Sequence, residues 1–111
     1  MNVPTYYWTG AIEVTVEPHE MRMSHWVYAP KVVDVASGAV LLDLTGKPWD
    51  LVSVTEHPDA LVFELRKYPG DRPGVTLQIS MDRLEIRIGS HLVEEDVERH
   101  LDAALQLRRL S

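Results

Sequence analysis

Five histidines are the residues of this 111-residue chain best suited to chemistry near neutral pH, because imidazole exchanges a proton there and can ligate a metal through either ring nitrogen. His57-Pro58-Asp59 sets one of them beside a carboxylate, the pairing that orients a general base. No nucleophile, oxyanion donor or metal set is tied to it by spacing, and Pro followed by Asp suits the centre of a type I turn, so the stretch is read as a turn. His19, Glu20 and His25 offer nitrogen and oxygen ligands, yet no recognised spacing holds them on one patch, as a zinc site requires. No catalytic residue, metal ligand or cofactor is assigned. One pair remains: His25 is expected on an inward sheet face opposite Ile12, and His100 on the apolar arc of a C-terminal helix. If that helix docks on that sheet, both imidazoles flank one apolar cavity and are the expected ligand-binding residues.

The aromatic residues give a second constellation. Tyr6, Tyr7, Trp8, Trp26 and Tyr28 are five of the eight, all in the first quarter of the chain. Trp26 and Tyr28 share one strand face, and aromatic anchors are enriched where proteins meet. They are therefore expected partner-binding residues, together with Val32 and Leu41, which the pattern places on the outer face of a hairpin around Ser37-Gly38. That apolar outer face is expected to be covered by another chain or by an N-terminal segment, a homodimer being the simplest version.

The elements that must position these groups are mostly strands. From Trp49 to Gly89 the chain alternates apolar and polar residues between turn signals, the period of a half-buried strand. A turn at Pro58-Asp59 sets Val54 opposite Phe63 and Val52 opposite Leu65. A turn at Asp82-Arg83 sets Met81 against Leu84, Ile79 against Ile86 and Leu77 against Ile88, with Ser80 and Glu85 on the other face. A one-residue slip would reverse every face, so agreement between turn and pattern argues for the register. Pro69 to Gly74 reads as a loop. Upstream, a turn at Pro18-His19 would set Val14 against Met23 and Ile12 against His25, Pro30 would end the strand from Glu20 to Tyr28, and the Ser37-Gly38 hairpin would pair Val35 with Val40 and Val33 with Leu42. From Leu92 to Leu110 the period becomes helical, with Val93, Val97, Leu101, Ala104, Leu105 and Leu107 on one side, acidic residues first, arginines last, and Ser90 or His91 as cap.

The fold expected is α+β: a single domain, 1–111, in which a curled antiparallel up-and-down meander of about eight strands packs on one C-terminal amphipathic helix. A closed eight-stranded barrel is the rival. A net charge of −6 opposes nonspecific binding to phosphate backbones, so nucleic acid is not an expected partner. No stretch has the length and apolarity of a membrane span, and the first residues lack a secretion signal, so a cytoplasmic location is expected. Two functions follow. The first is a small acidic, non-catalytic binding module acting on a protein partner, a basic surface being its natural complement, as an inhibitor, immunity-type protein or accessory subunit would. The second is a carrier or enzyme that holds a small apolar ligand between sheet and helix, and the size of any cavity there separates the two.

Overall fold

The computed structural model describes residues 4–21, 26–68, 74–89 and 91–110, with the backbone alone for 108–110. The elements are β1 (Thr5–Tyr7), β2 (Ile12–Glu20), β3 (Trp26–Asp34), β4 (Val40–Asp43), β5 (Trp49–Glu56), β6 (Ala60–Lys67), β7 (Val75–Ser80), β8 (Ile86–Ile88), β9 (His91–Val93) and α1 (Val97–Leu110). The strands make two antiparallel sheets, ordered β1-β2-β3-β4 and β5-β6-β7-β8-β9. The fold is therefore α+β, a β-meander with one C-terminal helix, and no sheet closes into a barrel among the described residues. Residues 1–51 and 52–111 form two compact units, and β5 carries the chain from the first into the second.

In residues 52–111 the two-residue period decides the core. Leu61, Phe63 and Leu65 on β6 and Val75, Leu77 and Ile79 on β7 are all buried, and the register sets Leu61 opposite Ile79, Phe63 opposite Leu77 and Leu65 opposite Val75. The Pro58-Asp59 turn is closed by the His57 N–H, which donates to the Ala60 carbonyl at 2.9 Å. β7 and β8 pair as their turn residues imply, Leu77 with Ile88 and Ile79 with Ile86, and the Ser80 N–H reaches the Glu85 carbonyl at 2.8 Å. The expected inward pair Met81/Leu84 is not one. Leu84 has φ +55°, which takes it out of strand geometry, and Met81 is exposed. Val52, also expected inward, is exposed on β5, at the edge of its sheet.

The expected helix start is corrected too. His91 to Val93 form a short strand on β8, Ile88 opposite His91 and Ile86 opposite Val93, after a turn in which Gly89 takes φ +63°. This pairing satisfies backbone groups of β8 that would otherwise have no ladder, and that need overrides the local helical period. The helix starts at Val97, and neither His91 nor the Glu94-Glu95 pair belongs to it. α1 packs on β7 and β8 with Leu101 and Leu105 buried.

In residues 1–51 the register differs from the expected one. β2 and β3 pair as one long ribbon, Ile12 with Asp34, Val14 with Val32, Val16 with Pro30, Pro18 with Tyr28 and Glu20 with Trp26, so Pro18-His19 lies inside a strand and β3 runs through Pro30. The hydrogen-bond geometry explains why both prolines fit. The Val35 N–H donates to the Ala11 carbonyl at 3.0 Å, so by alternation the pairs at Pro18 and Pro30 are those whose backbone groups point away from each other. Pro18 turns its missing donor toward the edge of β2 that no described strand covers beyond Val14. On the opposite edge, the Tyr28 N–H donates to Asp50 Oδ1 at 3.0 Å.

The β3–β4 hairpin is corrected by two residues. Asp34, not Ala36, pairs with Ala39, its N–H donating to the Ala39 carbonyl at 2.9 Å. The Ser37 hydroxyl donates to Asp34 Oδ2 at 2.6 Å and the Gly38 N–H to the Asp34 carbonyl at 2.8 Å, which stabilises a longer loop than the expected two residues. A bulge between Val32 and Val33 then sets Val32 against Leu42 and Val33 against Val40. The faces expected for this hairpin are thereby exchanged at Val32, which has Val14 on one side and Leu42 on the other and is 0% exposed.

Candidate functional site

In residues 52–111, α1 carries two adjacent stripes. Leu101 and Leu105, four apart, are buried, whereas His100, Ala103, Ala104 and Leu107, at the i, i+3, i+4, i+7 spacing, line a groove. The opposite wall is Val75 of β7, Ile88 of β8 and His91 of β9, on the inward face of their sheet. Where longer side chains would close the space, Ala103 and Ala104 leave it open. The cavity is about 540 Å³, inside the range of small-molecule sites.

The groove is mainly apolar, and among the described residues its ionisable groups are the two imidazoles. Other polar groups nearby are committed elsewhere. The Thr76 hydroxyl donates to Glu64 Oε1 at 2.7 Å, across a register pair on the outer face. Lys67 Nζ pairs with Asp102 Oδ1 at 2.5 Å, and Arg99 Nε lies 3.6 Å from Asp96 Oδ2. An apolar trough lined by two hydrogen-bonding groups can hold a ligand and orient its polar end.

Of the residues singled out by sequence, His100 lies in this groove, and His25 lies outside the described residues. His91 was missed as a site residue, because it was read as a helix cap. Its signal is Gly89, whose positive φ suits the turn after β8 that leaves His91 opposite the inward Ile88.

The partner-binding expectations separate. Trp26 and Tyr28 are 52% and 47% exposed, on the face that buries Ile12, Val14 and Val32 nearer the other end of the ribbon. Burial passes to the opposite face there, through Val27 and Ala29. Leu41 is half-buried and Val32 is buried, so Val32 is no part of an exposed surface, whereas Val35 and Val40 of the same hairpin are exposed. His57 and Asp59 lie in an exposed turn. Both ring nitrogens of His19 are buried without a hydrogen-bond partner among the described residues. No group of three or more potential metal ligands occurs among those residues, and none of their helices is long and apolar enough to cross a membrane.

Two perturbed groups lie in residues 1–51. Tyr6 donates its hydroxyl to Glu13 Oε2 at 2.9 Å, and that bond, with the carboxylate's charge, holds the phenol above its ordinary value. Asp43 is held below the usual carboxylate value, first by the Thr45 hydroxyl and then by the Thr45 N–H, which donates to Asp43 Oδ1 at 3.0 Å. Both are turn and edge contacts away from the groove. No family model, curated protein or solved structure matches the chain.

Proposed function

We propose that this protein is a small-molecule-binding domain that holds a compact, mainly apolar ligand in the groove between α1 and strands β7–β9. The observation that carries the reading is the cavity itself: about 540 Å³ walled by Val75, Ile88, Ala103, Ala104 and Leu107, with His91 and His100 as its polar points. Ligand sites are of this size, mostly apolar, with a few placed polar groups that fix orientation. Fluorescence of an anilinonaphthalene sulfonate probe tests it. The wild-type chain should bind the probe saturably at one site, and Ala104→Trp, which fills the trough from the helix side, should abolish that binding while leaving the circular dichroism spectrum unchanged. Equal probe binding by both proteins would refute the reading.

A second reading, action on a protein partner, is favoured by the exposure of Trp26 and Tyr28 at one end of the β2–β3 ribbon. Glu20 stands opposite Trp26 on the same face, so a partner presenting Lys or Arg would meet both a ring and a carboxylate. Trp26→Ala together with Tyr28→Ala should then remove capture of a basic partner without changing probe binding in the groove. Unchanged capture would remove this reading and leave the first intact.

A further inference from the structure

Resting on the small-molecule reading, we infer that the groove selects a monocarboxylate, with an apolar tail along Ala103, Ala104 and Ile88 and the carboxylate between His91 and His100. The charges around the imidazoles decide the class. On β7, the strand facing α1, the residues from Val75 to Ser80 include no charged side chain, and on β8 the one charge, Arg87, is exposed and stands opposite Leu92 on the outer face. On α1, Asp102 is held by Lys67 of β6 and Arg99 lies beside Asp96. Among the described residues, His91 and His100 are thus the groove's titratable lining.

A neutral imidazole has one donor and one acceptor, and a protonated one has two donors. An imidazolium in the groove carries a charge that a carboxylate offsets by accepting from it. A cationic ligand would oppose that protonation. A dianionic phosphate calls for guanidinium forks or ammonium groups, which the lining lacks among the described residues, and meets a chain whose net charge is already −6. A single negative charge on an apolar body fits both walls.

The test is calorimetric titration of the full chain with octanoate, 1-octanol and octylammonium at pH 6 and pH 8. Carboxyl groups titrate near pH 4, so octanoate is ionised at both, and because an imidazolium donates from both ring nitrogens where a neutral imidazole donates from one, octanoate should bind about tenfold more tightly at the lower pH. Octanol should show no such dependence. His91→Gln combined with His100→Gln should reduce octanoate to the affinity of octanol at both pH values, with octanol binding retained as the sign that the groove is intact. Octanoate no tighter than octanol at pH 6, or octylammonium tightest of the three, overturns the carboxylate inference and leaves the groove reading standing. Binding of none of the three overturns both.

Discussion

Removing the Leu101 side chain tests whether α1 is docked as described, because this residue is 0% exposed between the helix and its sheet. Leu101→Ala deletes three carbons. At about 0.8 kcal/mol for each buried carbon the transfer term is about 2.4 kcal/mol, and the cavity left in a close-packed site raises the expected loss to about 3–4 kcal/mol. Leu107→Ala deletes the same atoms from a position that is 65% exposed, so its cost should stay below about 1 kcal/mol. Helix propensity changes equally in both and slightly favours Ala, so the difference isolates burial. Urea unfolding followed by far-ultraviolet circular dichroism reads both variants. A total stability of about 5–15 kcal/mol makes the larger loss easy to resolve. If Leu101→Ala cost no more than Leu107→Ala, α1 would not be anchored through Leu101, and the groove would lose the wall that defines it.

Gly74→Ala should destabilise the same unit by about 1–3 kcal/mol in the same assay, because a Cβ there would stand 2.8 Å from the Leu65 carbonyl oxygen, a backbone atom that cannot swing aside; a neutral result would show that the β6–β7 connection yields. Thr9 is β-branched and held at φ +52°, just before Gly10 at φ +93°, so Thr9→Asn should raise stability by about 1 kcal/mol, and no gain in the urea midpoint would contradict a strained turn. The raised Tyr6 pKa means that its bond to Glu13 contributes below the ordinary value of 10.0 and is lost as pH climbs through the folded value; Glu13→Gln should bring the Tyr6 titration, followed by NMR, back down. Asp43 has the opposite sign, its contribution being present above the ordinary 3.8 and lost as pH falls through the depressed folded value. Thr45→Val should move the Asp43 carboxyl titration upward, and an unmoved curve would deny the hydroxyl its part.

How far the fold was legible depended on whether turn residues and apolar period agreed. They agreed around Pro58-Asp59 and Asp82-Arg83, so the pairing of Leu77 with Ile88 and of Ile79 with Ile86 could be read from residues alone. They disagreed in residues 1–51. Pro18 imitates a turn, because a proline at an uncovered strand edge and a proline in a hairpin loop look the same in sequence, and only the hydrogen-bond parity of the ribbon separates them. Asp34 shifted the next hairpin by accepting from the Ser37 hydroxyl at its carboxylate and from the Gly38 N–H at its backbone carbonyl, local bonds that alternation does not record. β9 was hidden for another reason: three residues are too short to show a period, and the acidic run after them resembles a helix's first turn. The site was half legible for the same cause. His100 follows from helical spacing, whereas His91 needs the strand pairing that places it.

The β2–β3 ribbon leaves flanks on which a strand from another molecule would ordinarily crystallise its own hydrogen bonds. Pro18 removes the donor from one flank, and on the other the Asp50 carboxylate occupies the Tyr28 N–H that an incoming carbonyl would need. Each is a chemical stop set where the neighbouring strand runs out, and together they deny the ribbon a role as template for edge-to-edge growth. Trp26 and Tyr28 can therefore be presented to water at the end of this hairpin without the backbone beside them recruiting a second copy of itself.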